Sequence, residues 1–392
     1  QLAFQRPGII GVAAATPADD GTRHGVYVSE GGSQRVRAFL HKPPLARLHA
    51  EGAVDAAGHV QIDTGLVWLD PAAAERLLAL QAGAGERLLR GVTLNLYGDL
   101  LAPLAAATDR EAYLADTSDG PATTALREVR ERAWDLLRGT PFSVERLHPA
   151  AFVHFGSTRE YLQVLTESLH TLGGCGWQAR AASWLPARNA ANGNGLVLAN
   201  AYVGALPEQA APGSTVTDAT LLGPVRLGAG SLIANVMAGE DGLTVGDEVV
   251  VHQLPLLDGA GWVTRVYGAA DDPKVPLHSG GTLLNIPWEE WLRRAGLRPA
   301  DLWPATSDAA LCTLWEARLY PVCEDREESL RASAWLERPE RAAPEEVARW
   351  RQAERLSLSE SYLRADVRRI VREAGEIEDR VRARRFAAQA EA

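Results

Sequence analysis

The sequence predicts an α/β fold for its first half, then a left-handed parallel β-helix, then a tryptophan-rich helical region. Three observations carry this reading. Strand-like apolar runs alternate with amphipathic helical stretches as far as residue 187, which favours a mixed sheet flanked by helices. Between 188 and 275 the helical period disappears, and apolar residues recur six apart with glycine after them. From 276 to 392 tryptophans and then charged helical segments dominate. The expected divisions are therefore 1–187, 188–275 and 276–392.

Strands are expected at 9–12, 26–28, 36–40, 62–69, 92–97 and 152–155, where β-branched and aromatic residues cluster. Helices are expected at 72–80, 124–137 and 159–169, from apolar residues three and four apart. The glycine-rich run at 173–176 lacks a following Lys, Ser or Thr and reads as a turn, and the Asn- and Gly-rich run at 189–195 reads as a boundary. Leu227-Gly-Ala-Gly-Ser-Leu-Ile233 and Val245-Gly-Asp-Glu-Val-Val-Val251 carry the six-residue step, with Val216 as an earlier member. Pro287 suits the first turn of a helix bearing Trp288, Trp291 and Leu292. Near the end, Val367, Ile370, Val371, Ile377 and Val381 keep a helical period among charges, and Glu376 and Arg380 sit four apart.

Composition narrows the function. At 392 residues the chain can bury two or three cores. A formal charge of -10 argues against general nucleic-acid binding, which gains affinity from surplus Lys and Arg. Cys175, Cys312 and Cys323 are too few and too scattered for a zinc or redox motif. No apolar run approaches the length of a bilayer-crossing helix, so a soluble, cytoplasmic protein without a membrane partner is expected. Neither a P-loop, a His-Glu-x-x-His pair nor a Gly-x-Ser-x-Gly elbow occurs.

Three blocks near the N-terminus each deliver polar groups from a strand context: Gly21-Thr-Arg-His-Gly-Val-Tyr-Val28, Phe39-Leu-His-Lys-Pro43 and Ile62-Asp-Thr-Gly-Leu-Val-Trp68. A lysine and a carboxylate at strand ends suit metal-assisted transfer at phosphorus. The chain reads on through Phe152-Val-His-Phe-Gly-Ser-Thr-Arg-Glu-Tyr-Leu162, Leu277-His-Ser-Gly-Gly, Ile286-Pro-Trp-Glu-Glu-Trp-Leu292 and Thr313-Leu-Trp-Glu-Ala-Arg-Leu-Tyr-Pro-Val322. In that order the blocks resemble the fucose-1-phosphate guanylyltransferase (GDP-fucose pyrophosphorylase) domain, often fused ahead of an L-fucokinase domain.

The resemblance implies a nucleotidyltransferase-like (Rossmann-like) sheet, present in part. It also implies transfer of a nucleotidyl group from GTP to L-fucose-1-phosphate, giving GDP-fucose and pyrophosphate, with Mg2+ as the cofactor. The glycine-rich nucleotide loop of such a domain is expected upstream of Gln1, and no kinase half is expected within this chain, since only charged helix follows Arg355, although a kinase domain fused in the parent protein stays open; with Met237 as the sole methionine, a processed or truncated product is expected. The alternative is a non-catalytic sugar-phosphate-binding or scaffold module derived from such an enzyme. A β-helix acyltransferase is a third reading, weakened because no intercoil histidine stands out beyond His252.

Lys42 is expected to meet the sugar phosphate and Asp63 to sit beside the metal and the sugar, with Gly65 allowing close approach. An aspartate capping its own turn is the competing role for Asp63. Arg23, His24 and Gly25 are expected at the sugar or its phosphate, and Asp99 as a second carboxylate near the sugar. His154, Gly156 and Ser157 form a strand-to-helix turn that either binds an anion or caps the helix.

Overall fold

The computed structural model describes residues 5–31, 33–82, 89, 92, 94–117, 123–148, 150, 152–167, 180–186, 195–204, 207–303 and 309–390. Contacts divide the chain into two units, Gln1–Val153 and His154–Ala392.

In the first unit β1 (Ile9–Pro17), β2 (Gly25–Ser29), β3 (Val36–His41), β4 (His59–Leu69) and β5 (Phe142–Leu147) form one sheet, ordered β3-β2-β4-β1-β5. β1 and β5 run parallel and the other neighbours antiparallel, so a mixed sheet forms as expected. Side chains alternate along a strand, and here they sort by parity. Val26, Val28, Leu40, Val60 and Ile62 pack with Ala14, Ala18 and Leu48 in one apolar cluster. Tyr27 and Phe39 belong to the other, with Ile9, Ala13, Phe142 and Val144.

Helices Pro71–Gln81 and Thr124–Leu137 cover that second cluster through Ala73, Leu80, Ala133 and Leu137. Both begin where the sequence signals it: Asp70 accepts from the Ala73 N–H ahead of Pro71, and Thr123 accepts from the Leu126 N–H.

Two expected strands do not form. Within 92–97 no described residue is in a strand. The Asn95 side chain instead accepts from the Tyr97 and Gly98 N–H groups and opens a π-helical turn, Leu96–Leu101. A side chain that satisfies two N–H groups locally removes donors a ladder would need. Residues 152–155 also lack a strand, and Phe152 packs beside the first apolar cluster instead of joining a ladder.

The second unit contains β6 (Arg180–Ala181), β7 (Val197–Val203), β8 (Pro207–Ala210), β9 (Thr215–Leu221), β10 (Val225–Leu227), β11 (Leu232–Ala234), β12 (Met237–Ala238), β13 (Leu243–Val245), β14 (Val249–Pro255) and β15 (Trp262–Gly268). Along β7, β9, β11 and β14 the pairing is parallel; Val197 meets Thr215, Thr215 meets Leu232 and Leu232 meets Val250, partners 18, 17 and 18 residues apart. A second sheet, β8-β10-β13, repeats the interval: Val225 lies between Pro207 and Leu243. Asn200, Asp218 and Asn235 occupy matching positions with φ of 50°, 48° and 54°, a left-handed conformation that short polar side chains tolerate. Asn200 Nδ2 donates to Asp218 Oδ1 at 2.7 Å.

The stack ends in an antiparallel partner, β15, and the strand Tyr320–Cys323 pairs with β15 in turn. Against this body pack Trp288, Trp291, Trp303, Trp335 and Trp350, with Trp288 edge-on to Trp303 at 5.1 Å and Trp335 edge-on to Trp350 at 5.5 Å. The C-terminal helix Val367–Ala390 buries only Ile377 and Val381. The helix expected at 159–169 is found as Thr158–Thr166, with 168 and 169 outside the described residues. The turn at 173–176, Cys175 and all of the 189–195 boundary except Gly195 also lie outside them. Among the described residues no helix is long and apolar enough to cross a membrane.

Candidate functional site

The antiparallel register of β2 aligns the start of one block with the end of the next. Gly25 pairs with His41, and Val26 pairs with Ile62, so Asp63 stands one residue past that pair, level with Gly25. His41, Gly25 and Asp63 thus form a row across three strands, on the face that carries Tyr27 and Phe39. Lys42 follows His41 directly, and its N–H donates to the His24 carbonyl at 3.0 Å.

Lys42 is exposed and has φ of 42°. A non-glycine residue in this region costs about 1–3 kcal/mol, and the proline that follows restricts it further. That cost is met by the strand end and the His24 bond, and it turns the chain away from the sheet at the lysine. No described carboxylate lies within ion-pair distance of its ammonium.

Asp63 is 5% exposed. Its Oδ1 accepts the Tyr27 hydroxyl, and its Oδ2 accepts the Gly65 N–H at 3.0 Å. Gly65 has φ of 77° and open space where a Cβ would stand, so the Asp63–Gly65 turn requires glycine. The turn-capping role of Asp63 is therefore realised, and the carboxylate is sealed beneath the surface. Burial and the adjacent Asp63 push the Tyr27 phenol far above its ordinary pKa. Two glycines make this layer possible. A Cβ on Gly11 would stand 2.3 Å from the Tyr27 hydroxyl oxygen, and one on Gly25 would stand 2.5 Å from the Phe39 ring. The space expected to admit substrate at Gly25 is filled by Phe39.

Tyr97, which sequence reasoning assigned to a strand and not to the site, closes the row. Its ring stacks on Phe39 and on His41, each at 5.8 Å between centroids. Burial first, and Asp63 second, push the Tyr97 phenol up to about 12. The one sequence signal for this placement is Asn95, whose capping turn aims Tyr97 at the sheet.

The remaining expected residues have other engagements. Arg23 is exposed and pairs with Asp20 at 2.6 Å. His24 meets Phe152 edge-on at 5.2 Å. Asp99 is 3% exposed, paired with the Arg130 guanidinium at 2.7 Å and accepting the Asn95 N–H at 2.6 Å, so it is a buried ion pair and not a second carboxylate near the sugar.

In the second unit Ser157 accepts from the Glu160 N–H at 3.2 Å, and Gly156 donates to the Glu160 carboxylate at 2.7 Å. That carboxylate takes the place an anion would occupy, so the Gly156–Ser157 turn serves as a cap. His154 is exposed beside Gly156.

Among the described residues no three His, Cys, Asp or Glu side chains gather as a metal site. Asp63 alone, buried and with both oxygens engaged, does not fit a protein-held magnesium centre.

The model of the fucose pyrophosphorylase domain family matches residues 1–325. The chain is 25% identical over 369 residues to a Mus musculus fucose-1-phosphate guanylyltransferase, covering 85% of this chain and 61% of that protein. It is 24% identical over 371 residues to an Arabidopsis thaliana bifunctional fucokinase/GDP-fucose pyrophosphorylase, covering 88% of this chain and 33% of that protein. The chain thus spans less than two thirds of the length of these relatives. A solved mannose-1-phosphate geranyltransferase from Thermus thermophilus is 16% identical, with 68% of this chain and 57% of that one covered and a TM-score of 0.24, too slight a likeness to bear on the fold. Because the family model spans every block from Gly21 to Val322, the chain belongs to the fucose pyrophosphorylase domain family.

Proposed function

We propose that the chain provides the sugar-phosphate side of a sugar-1-phosphate nucleotidyltransferase. In that reaction an oxygen of L-fucose-1-phosphate bonds to the α-phosphorus of GTP. The bond from that phosphorus to the bridging oxygen breaks, and pyrophosphate leaves with the electron pair. The observation that carries this reading is Lys42: an exposed ammonium with no described ion-pair partner, held on a left-handed backbone at the end of β3. A compact, flexible cation suits a phosphate that shifts during transfer, and backbone strain of this kind collects at functional positions. Arg23 and His24 flank the same strand ends, and the relatives' names support the sugar and the base.

Magnesium, on this reading, arrives with the triphosphate, which supplies most of its ligands. We place the reaction in the cytoplasm. We also propose that the second unit's parallel stack is a left-handed β-helix. The 18-residue interval supports this, being three of the six-residue steps read in the sequence.

The test is calorimetric titration of the chain with fucose-1-phosphate and, separately, with GTP. Fucose-1-phosphate should bind, and Lys42→Ala should weaken that binding roughly ten- to a hundred-fold. Absence of binding, or binding that Lys42→Ala leaves intact, ends the proposal. Binding without turnover in the presence of both substrates would favour the non-catalytic module.

A further inference from the structure

Independently of the Lys42 assignment, we propose that the second unit holds a separate binding site for an uncharged polyol of monosaccharide size, in the cleft between the parallel stack and the C-terminal helix Val367–Ala390. The floor of that cleft comes from β9 and from the residues that follow β11, and its roof from one face of the helix.

The cleft encloses about 440 Å3, within the usual range of small-molecule sites. Ala219 and Leu221 point into the apolar core of the stack, so Asp218 and Thr220, which alternate with them along β9, face outward into the cleft. Thr220 is 2% exposed, and among the described residues its hydroxyl has no hydrogen-bond partner. A buried hydroxyl in that state carries a desolvation cost that a ligand's hydrogen bond removes. Asp218 accepts the Asn200 amide on Oδ1 at 2.7 Å, and Asn235 engages His252 through its amide nitrogen at 3.1 Å. Asp218 Oδ2 and Asn235 Oδ1, each without a described partner, are left as acceptors on the same floor as Thr220.

The walls restrict the ligand. Arg326 and Arg369 stack on the Trp262 ring, with their guanidinium carbons 3.9 and 4.3 Å from its centroid, and both bind the Glu373 carboxylate, so these groups satisfy one another. Arg380, over the Tyr202 ring at 5.5 Å, has no described carboxylate within ion-pair distance and supplies free donors. Around the whole cleft five carboxylates face three guanidiniums, an excess that opposes a phosphate or any other anion. Among the described residues no three of those carboxylates gather as a metal site. A lining of several acceptors and a few donors matches hydroxyl groups, each of which donates once and accepts twice. Val236, Ile370 and Ile377 add the apolar contact that the C–H face of a sugar ring takes up. A free monosaccharide satisfies all of these demands, whereas a sugar phosphate does not.

The experiment titrates L-fucose, D-mannose, D-galactose and, as a cationic probe, spermidine into the wild-type chain by calorimetry, and repeats each titration with Thr220→Val, Asp218→Asn and Lys42→Ala. Thr220→Val keeps the branched shape and removes only the hydroxyl, and melting curves check that it and Asp218→Asn fold as the wild type does. At least one of the three sugars should bind the wild type. Its affinity should be about five-fold lower in Thr220→Val and about ten-fold or more lower in Asp218→Asn, the sizes of a neutral and of a charge-assisted hydrogen bond. Lys42→Ala should leave that affinity unchanged, and the sugar should raise the melting temperature of the wild type more than that of Thr220→Val. Failure of all three sugars to bind, or an affinity that Thr220→Val leaves intact, overturns the proposal. Binding of spermidine alone, weakened by Asp218→Asn, overturns it in favour of a cation, and a sugar affinity lost in Lys42→Ala overturns it by moving the sugar to the first unit. Titration with fucose-1-phosphate tests the Lys42 reading separately, so the two sites stand or fall apart.

Discussion

Replacing Lys42 with glycine should raise the stability of the first unit while weakening its sugar-phosphate binding. The stability half follows from φ of 42°, which costs a side-chain-bearing residue about 1–3 kcal/mol and glycine almost nothing. Against that gain stands the larger entropy glycine loses on folding, about 0.5–1 kcal/mol. The net is a stabilisation of about 1 kcal/mol, read as a rise of roughly 2–4 °C in melting temperature for a unit of this size. The binding half follows from removal of one charge-assisted bond to phosphate, about 1.5–3 kcal/mol, or roughly ten- to a hundred-fold in affinity. Lys42→Ala separates the two effects, because alanine loses the ammonium but keeps the Cβ and its strain. It should bind as poorly as Lys42→Gly without melting higher. Differential scanning fluorimetry and calorimetric titration read both quantities on the same samples. A glycine variant that melts below the wild type, or that retains wild-type affinity, would refute the reasoning that the backbone is strained in order to present the amine.

The Asp99–Arg130 pair is buried, so Asp99→Leu alone should destabilise by about 3–5 kcal/mol in urea unfolding, and Asp99→Leu with Arg130→Met should recover most of the loss. Gly11→Ala should cost about 1–3 kcal/mol through overpacking, because its Cβ meets the Tyr27 hydroxyl at 2.3 Å, and Tyr27→Phe should relieve part of it; an unchanged urea midpoint in Gly11→Ala would contradict the packing described. His252 is held by burial, and secondarily by Arg265, down to about 3, whereas an unfolded histidine titrates near 6.5. The unfolded chain therefore takes up the proton first, and stability falls as pH drops below about 6.5, by roughly 1.4 kcal/mol per pH unit toward pH 3. His252→Gln should flatten that slope, which urea midpoints at pH 7 and pH 5 would show.

The sequence made legible those elements whose signals are local. Helix Thr124–Leu137 matches its expected limits because the apolar period and the Thr123 cap both lie within the segment. β2, β3 and β4 were readable for the same reason, and so was the lysine at the end of β3. What stayed hidden depends on partners distant in sequence. Whether Asp63 faces a ligand or a phenol is decided by the β2–β4 register and by the missing side chain at Gly11, 52 positions earlier; neither is visible around Asp63 itself. Asp99 looked like a free carboxylate until Arg130, one face of a helix 31 residues away, was placed against it. Tyr97 was assigned to a strand because Leu94 and Tyr97 suit one, and only the short-range bonds of Asn95 reveal the turn.

The interval of 17 or 18 residues between neighbouring parallel strands in the second unit limits how this part of the chain can change length. Removing residues 215–231 would bring Leu232 into the place of Thr215 beside Val197, with every later rung still in step. Loss or gain of a few residues inside a rung would instead rotate all that follows, sending apolar side chains outward and breaking the line of Asn200, Asp218 and Asn235. Relatives should accordingly differ here by complete repeats of 17 or 18 residues, and a designed fusion should enter between repeats.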